Sequence, residues 1–184
     1  MRQRLFTKLV LTLSSFFLAH VSVDAHAEIT TVPYVDLNRY VGDWYQISHI
    51  PMWFEGGNCS CARQRLTPSA NGEFVEVFNS CNDGGPNGEL RTISGKAYVD
   101  DKESNAKLTV DFNLPFTGTY WVIGLDAQYR YAVVTDQGGT SLYILSKTRT
   151  LSDRLYKEAI ATAARQLDTS KLVTTEQRGC RYPK

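Results

Sequence analysis

Cysteine and histidine are the residue types in these 184 residues that most readily do chemistry, and their spacing argues against it. Cys59-Ser60-Cys61 lacks the gap of a zinc knuckle. His20 and His26 lie in a segment with the marks of a leader. That leaves His49, with no partners nearby to complete a metal or haem site. A Cys–His nucleophile needs a free thiolate, whereas an even cysteine count in an exported chain reads as two disulfides. Asp83, Asp100, Asp101 and Glu103 fall in turns, their ordinary place. No G-x-S-x-G, P-loop or G-x-G-x-x-G run occurs. The residues therefore predict no catalytic centre, no metal and no cofactor, and point towards binding. An enzyme acting on a lipid-like substrate is the alternative, and it would need a free thiol or a buried acid–base pair.

The first residues read as a secretory signal. Arg2, Arg4 and Lys8 precede an apolar run, Leu9 to Leu18, too short to span a membrane, and Ala25-His26-Ala27 is an A-x-A cleavage pattern. Cleavage after Ala27 leaves residues 28–184 as a single domain and takes the net charge from +1 to −1. No basic patch with interleaved aromatics speaks for nucleic acid. No cysteine precedes Cys59, so the leader lacks the lipid-modified cysteine of a bacterial lipoprotein. The expected destination is the periplasm or the exterior, and the oligomeric state is left open.

Apolar or alternating runs recur near 43–50, 60–68, 73–80, 90–99, 106–113, 118–125, 129–136 and 141–147, separated by turn-rich breaks. Eight short strands at such spacing predict an all-β sandwich or barrel. An eight-stranded antiparallel up-and-down barrel removes its own edges and leaves room for one small ligand. After the strands, Ser152 and Asp153 mark a helix start. Tyr156, Ile160, Ala163 and Leu167 then recur at helical spacing, so one helix packs outside the sheet. Residues 171–175 suit one further short strand.

With these elements placed, the chain resembles the lipocalins, and in particular the bacterial lipocalin and apolipoprotein D branch. Asp36 to Tyr45, Asp-Leu-Asn-Arg-Tyr-Val-Gly-Asp-Trp-Tyr, is similar to the G-x-W signature of the first strand. Val133-Val134-Thr135-Asp136 resembles the second motif and Tyr143 to Thr148 the third, with Lys147 where the family usually has arginine. Gly95-Lys96-Ala97-Tyr98 and the segment 152–171 resemble that branch. The resemblance implies that Trp44 seals the closed end of the barrel with a cation from the last strand across its ring. Gly42, Trp44, Thr135, Asp136 and Lys147 are then structural. Lysine can fill the cation's role, although it lacks arginine's planar fork.

Cys59 and Cys81 are nearly equidistant from the Asn71-Gly72 turn, so they can meet across a hairpin and leave Cys61 for Cys180; the resemblance supports this pairing. Strand alternation puts Cys59 and Cys61 on one face, so Cys61–Cys81 with Cys59–Cys180 stays open.

Period-two alternation points Val75, Val77, Leu108, Val110, Phe112, Tyr120, Val122, Tyr131, Val133, Tyr143 and Leu145 into the barrel, with Asn79 as a polar contact. The odd connections form the mouth. Two of them carry large apolar groups, Trp53-Phe54 and Phe116, where polar residues are commoner, so a lid or peripheral contact with a lipid surface is expected. An apolar lining with a few hydroxyls suits a small hydrophobic ligand, and the resemblance implies a fatty acid, a lysophospholipid or a related lipid. An envelope interaction protein with a filled barrel is the remaining alternative.

Overall fold

Eight short amphipathic runs can bury their apolar faces together by curling into one sheet that closes on itself. A computed structural model describes residues 28–52 and 59–183. It shows β1 (Gly42–His49), β2 (Cys59–Pro68), β3 (Val75–Asp83), β4 (Glu89–Val99), β5 (Lys107–Asp111), β6 (Gly118–Leu125), β7 (Tyr131–Thr135) and β8 (Tyr143–Ser146). Neighbours in sequence pair antiparallel, and β1 pairs with both β2 and β8, so the barrel is closed.

A four-residue helix, α1 (Leu37–Tyr40), precedes β1. It is absent from the sequence reading because one turn is too short to show a period. Its cue was present in Asp36, whose carboxylate caps the turn by accepting from the Asn38 N–H at 3.0 Å. The turn lies across one end of the barrel and delivers Tyr40 to the core.

Trp44 is fully buried at that end. Its indole N–H donates to the Tyr40 carbonyl at 2.6 Å. Lys147 Nζ lies 4.2 Å from the indole centroid and donates to the Tyr40 and Val41 carbonyls at 3.0 and 2.6 Å. One cation thus ties the end of β8 to α1 and β1. Gly42 precedes the tryptophan at φ +100°, a conformation that side chains rarely adopt. Burial pushes the Lys147 ammonium down to about 8, with the Asp43 carboxylate opposing that fall.

The helix α2 (Asp153–Ala163) packs on the outside. Ser152 Oγ accepts from the Leu155 N–H, as an N-cap should. The buried line is Leu155, Ala159 and Ala163, with Tyr156, Ile160 and Leu167 packed against the same cluster. The expected stripe is therefore rotated by about one residue. Two alanines on the inner line let the helix approach closely, and the larger side chains flank it.

Beyond α2 the chain returns as β9 (Val173–Thr174), which pairs with β1 at Ser48 and His49. The pairing of β1 with β2 extends only from Gly42↔Leu66 to Tyr45↔Arg63. Past that point the tail bridges the two strands. Thr175 N–H donates to Ile47, Cys61 N–H donates to Glu176, and the Gln177 amide donates to both Gln46 and Ala62 carbonyls. The tail thus repairs a gap in the barrel wall.

The disulfides are Cys59–Cys81 and Cys61–Cys180. The register of β2 on β3 slips between Ser60 and Arg63, and Cys61 takes φ +56°. An extra residue in one strand reverses its alternation, so Cys59 and Cys61 are not equivalent: Cys59 reaches β3 and Cys61 turns to the tail.

Two outcomes test this frame. Relative to wild type, the double variant Cys61→Ser/Cys180→Ser opens a loop spanning 119 positions. It should cost about 2–5 kcal/mol in urea unfolding and expose the 174–177 amides to rapid hydrogen exchange. For Lys147, an unfolded lysine holds its proton up to about pH 10.4, whereas the folded one releases it near 8. Between those values the unfolded chain binds the extra proton, so this group's contribution to stability rises with pH. Relative to Lys147→Met, the wild type should gain up to about 1 kcal/mol between pH 8 and 10, solvent screening of a half-buried group included.

Candidate functional site

The interior is apolar because alternate residues of every strand meet there. Val75, Val77, Leu108, Val110, Val122 and Leu145 belong to one buried cluster, and Phe112, Tyr120 and Tyr143 pack against it. All nine were expected inside. Towards the closed end the space is filled by Trp44, Tyr40 and Tyr129. Above them runs a narrow cleft with about 340 Å³ of atom-free space, counting what opens to solvent. Its enclosed part takes little more than one water.

Of the expected residues, Val75, Val77, Leu108, Val110 and Tyr120 line this cleft. Leu37, Tyr40 and Val41 also line it, supplied by the unexpected turn α1, as do Gln64, Leu66 and Ala97. Alternation along β2 held the cue to Gln64 and Leu66, which pair in register with Asn79 and Val77. Gly95 leaves room for the Phe112 ring, which would lie 2.6 Å from a Cβ there.

Tyr131 and Val133 do not face the interior. They sit under α2 in the outer cluster with Ile123 and Ile144, while their neighbours Ala132 and Val134 point inward. Every residue of β7 is buried, so burial on both faces hid the alternation. The register of β6 on β7 also shifts between Val122 and Gly124. Trp53 and Phe54 lie outside the described residues. Phe116 is 65% exposed in the β5–β6 connection, beside exposed Leu114.

Among the described residues, the polar groups that line the cleft carry no charge. Tyr40 Oη donates to Tyr120 Oη at 2.8 Å, and Tyr120 Oη donates to Gln64 Oε1 at 3.1 Å. Burial pushes both phenols above their ordinary range, so the relay stays uncharged. Asn79 is partly buried, and its Oδ1 is buried with no hydrogen-bond partner.

Thr135 and Asp136 organise the β7–β8 turn. Thr135 Oγ1 donates to the Ser141 carbonyl at 2.5 Å. The Asp136 carboxylate accepts from Ser141 N–H and Oγ–H, Gly138 N–H and Thr140 Oγ–H. Burial raises its pKa, but these donors outweigh burial and hold it below the usual carboxylate range. His49 meets Thr175 Oγ1 at 3.2 Å and stacks on Tyr143. Among the described residues no group of three potential metal ligands occurs.

A family model of the lipocalin-like domain matches residues 35–177. The outer membrane lipoprotein Blc of Escherichia coli (strain K12) is 36% identical over 154 residues, covering 82% of this chain and 84% of that protein. The chain belongs to the lipocalin family. Temperature-induced lipocalin-1 of Arabidopsis thaliana is 33% identical over 159 residues, covering 82% and 83%. Apolipoprotein D of Oryctolagus cuniculus is 32% identical over 155 residues, covering 79% and 78%. Insecticyanin from the tobacco hornworm Manduca sexta shares the fold at TM-score 0.67 and 18% identity, covering 84% of this chain and 88% of its own. Lipocalins bind small hydrophobic ligands, and in this lipocalin the interior cleft is the candidate site.

Tyr120→Phe removes one hydroxyl from the relay and leaves Tyr40 Oη and Gln64 Oε1 facing each other without it. It should lower the unfolding free energy by about 1–3 kcal/mol, read from urea midpoints at unchanged far-ultraviolet dichroism.

Proposed function

We propose that this lipocalin binds and carries, or stores, a small hydrophobic ligand in its barrel: a fatty acid, a lysophospholipid or a related lipid. The observation that carries the reading is a barrel plugged at one end by Trp44, Lys147 and α1, with an apolar cleft rising from the plug between its strands. A chain-like apolar group gains about 0.8 kcal/mol for each methylene it buries. The cleft is narrow, so an acyl chain enters by turning side chains such as Phe112 and Tyr120 aside.

The mouth fits the same reading. Leu114 and Phe116 are exposed together in one connection, and the same role at the mouth is proposed for Trp53 and Phe54, which lie outside the described residues. Apolar groups at a rim suit transient contact with a lipid surface, from which cargo is taken or to which it is given. Residues 1–27 are proposed to be removed on export, with residues 28–184 forming the working domain in the periplasm or outside the cell. Two disulfides support an oxidising compartment.

Delipidated protein should bind a C12–C16 lysophospholipid or fatty acid one to one in native mass spectrometry and displace a fluorescent apolar probe. At a hundredfold excess over Kd, binding should add about 2.7 kcal/mol of stability. Ala97→Phe, at a buried cleft position, should weaken binding at least tenfold while the barrel still folds. Absence of any bound lipid, with no change in melting, would instead support a filled barrel acting as an envelope interaction protein.

A further inference from the structure

The cleft's polar edge has a chemical sense. Gln64 of β2 and Asn79 of β3 are paired in register, which puts their Cβ atoms about 5 Å apart on one face. That face is the interior, because Leu66 and Val77, the next pair inward, line the cleft. The two amides occupy the rung between the apolar cleft and the mouth.

Their hydrogen-bonding capacity is partly spent. Gln64 Oε1 is taken by the Tyr120 hydroxyl, and that hydroxyl in turn accepts from Tyr40. The relay therefore consumes both phenolic protons and fixes the Gln64 amide with its oxygen towards Tyr120. Gln64 Nε2 remains as a donor, with no hydrogen bond to a described residue. Across the rung, Asn79 Oδ1 is a buried acceptor with no partner. A buried acceptor without a partner costs free energy in the empty protein, and a ligand that supplies a proton recovers it.

Charge is missing from the lining of the cleft that this rung borders, and His49, beside Tyr143 and held by Thr175 Oγ1, lies farther towards the mouth. No Asp, Glu, Lys, Arg or His lines the cleft among the described residues. The nearest cation along β4 is Arg91, two positions mouthward of Ile93, the β4 partner of Asn79; it is half-exposed and already paired with Asp83 at 3.3 Å. An ionised carboxylate at the rung would lose its hydration without gaining a cation. It would also present a second acceptor to Asn79 Oδ1.

We propose that the Gln64–Asn79 rung is a head-group subsite for a neutral donor–acceptor group, a hydroxyl or a carboxamide, so the barrel prefers fatty alcohols, monoacylglycerols or fatty amides over ionised fatty acids of equal chain length. The ligand donates to Asn79 Oδ1 and accepts from Gln64 Nε2, with its chain in the apolar cleft. This deepens the lipid-carrier reading and rests on it.

Competition for a fluorescent apolar probe at pH 8 tests it, with 1-dodecanol, 1-monododecanoylglycerol and dodecanoate as competitors. The expected result is at least tenfold tighter binding of the neutral pair than of dodecanoate. Asn79→Leu should cut that preference at least fivefold and melt no lower than wild type, since it replaces an unpaired polar group by an apolar one of similar size. Gln64→Leu, which also disturbs the relay, should reduce the preference in the same direction. Dodecanoate binding as tightly as the alcohol in wild type, or an unchanged preference in both variants, overturns the subsite while leaving the lipid-carrier reading in place. Displacement of the probe by none of the three overturns both.

Discussion

Closure at the Trp44 end is the constraint on which the rest of this lipocalin depends. A barrel of eight strands has a hole at each end, and a ligand site needs one of them shut. Here the work is divided. The indole fills the hole, α1 lies across it, and one ammonium joins the two by sitting over the ring while donating to two carbonyls of the crossing turn. These carbonyls lie at a helix end, where backbone acceptors lack intrahelical partners, and the Tyr40 carbonyl accepts from the Trp44 indole as well. The lysine therefore satisfies the turn's backbone and the tryptophan's face with one charge.

The opposite end is held more loosely and by different means. Past Tyr45 and Arg63, β1 and β2 no longer pair, and the tail supplies the missing hydrogen bonds from the far end of the chain. Cys61–Cys180 makes that repair permanent. Arg63 adds to it: it is buried, lies 3.6 Å from Asp43, donates to the Pro183 carbonyl and faces the Tyr182 ring. The tail is thus part of the barrel wall, and it carries Thr175 to the side chains of Gln46 and His49. Between a sealed floor and a stapled wall, the described lining of the cleft is apolar except for the Tyr40–Tyr120–Gln64 relay. That contrast gives the proposed lipid its direction: chain towards the plug, head towards the mouth.

Much of this was legible in residue order. The G-x-W run, the Thr-Asp pair and the lysine of the third motif fall on β1, at the end of β7 and directly after β8, where the resemblance puts them. Alternation turned Val75, Val77, Leu108 and Val110 inward, because β3 and β5 each have one wet or half-wet face. It failed for Tyr131 and Val133. With α2 covering the outside of β7, both faces are buried, and hydrophobicity no longer distinguishes in from out. What decides is register: Ala132 and Val134 pair with Leu145 and Tyr143 on the inner face, while Val133 pairs with Ile144 beneath the helix.

Residue types and their spacing determined the strand count, the outer helix and the apolar lining, and the family resemblance carried by the motifs implied the placing of the Trp44–Lys147 pair. The first three follow from local periodicity and from which side chains exist in the chain. Tertiary structure decided what depends on non-local register. A single-residue slip in β2 separates Cys59 from Cys61 and selects the disulfide partners. One-turn α1 becomes the barrel's floor only because Tyr129 and Asn105 hold its entry through Asp36 and Val35. Gln64 and Asn79 lie 15 positions apart and carry no motif, and they become one polar rung only when β2 and β3 are laid side by side in this register.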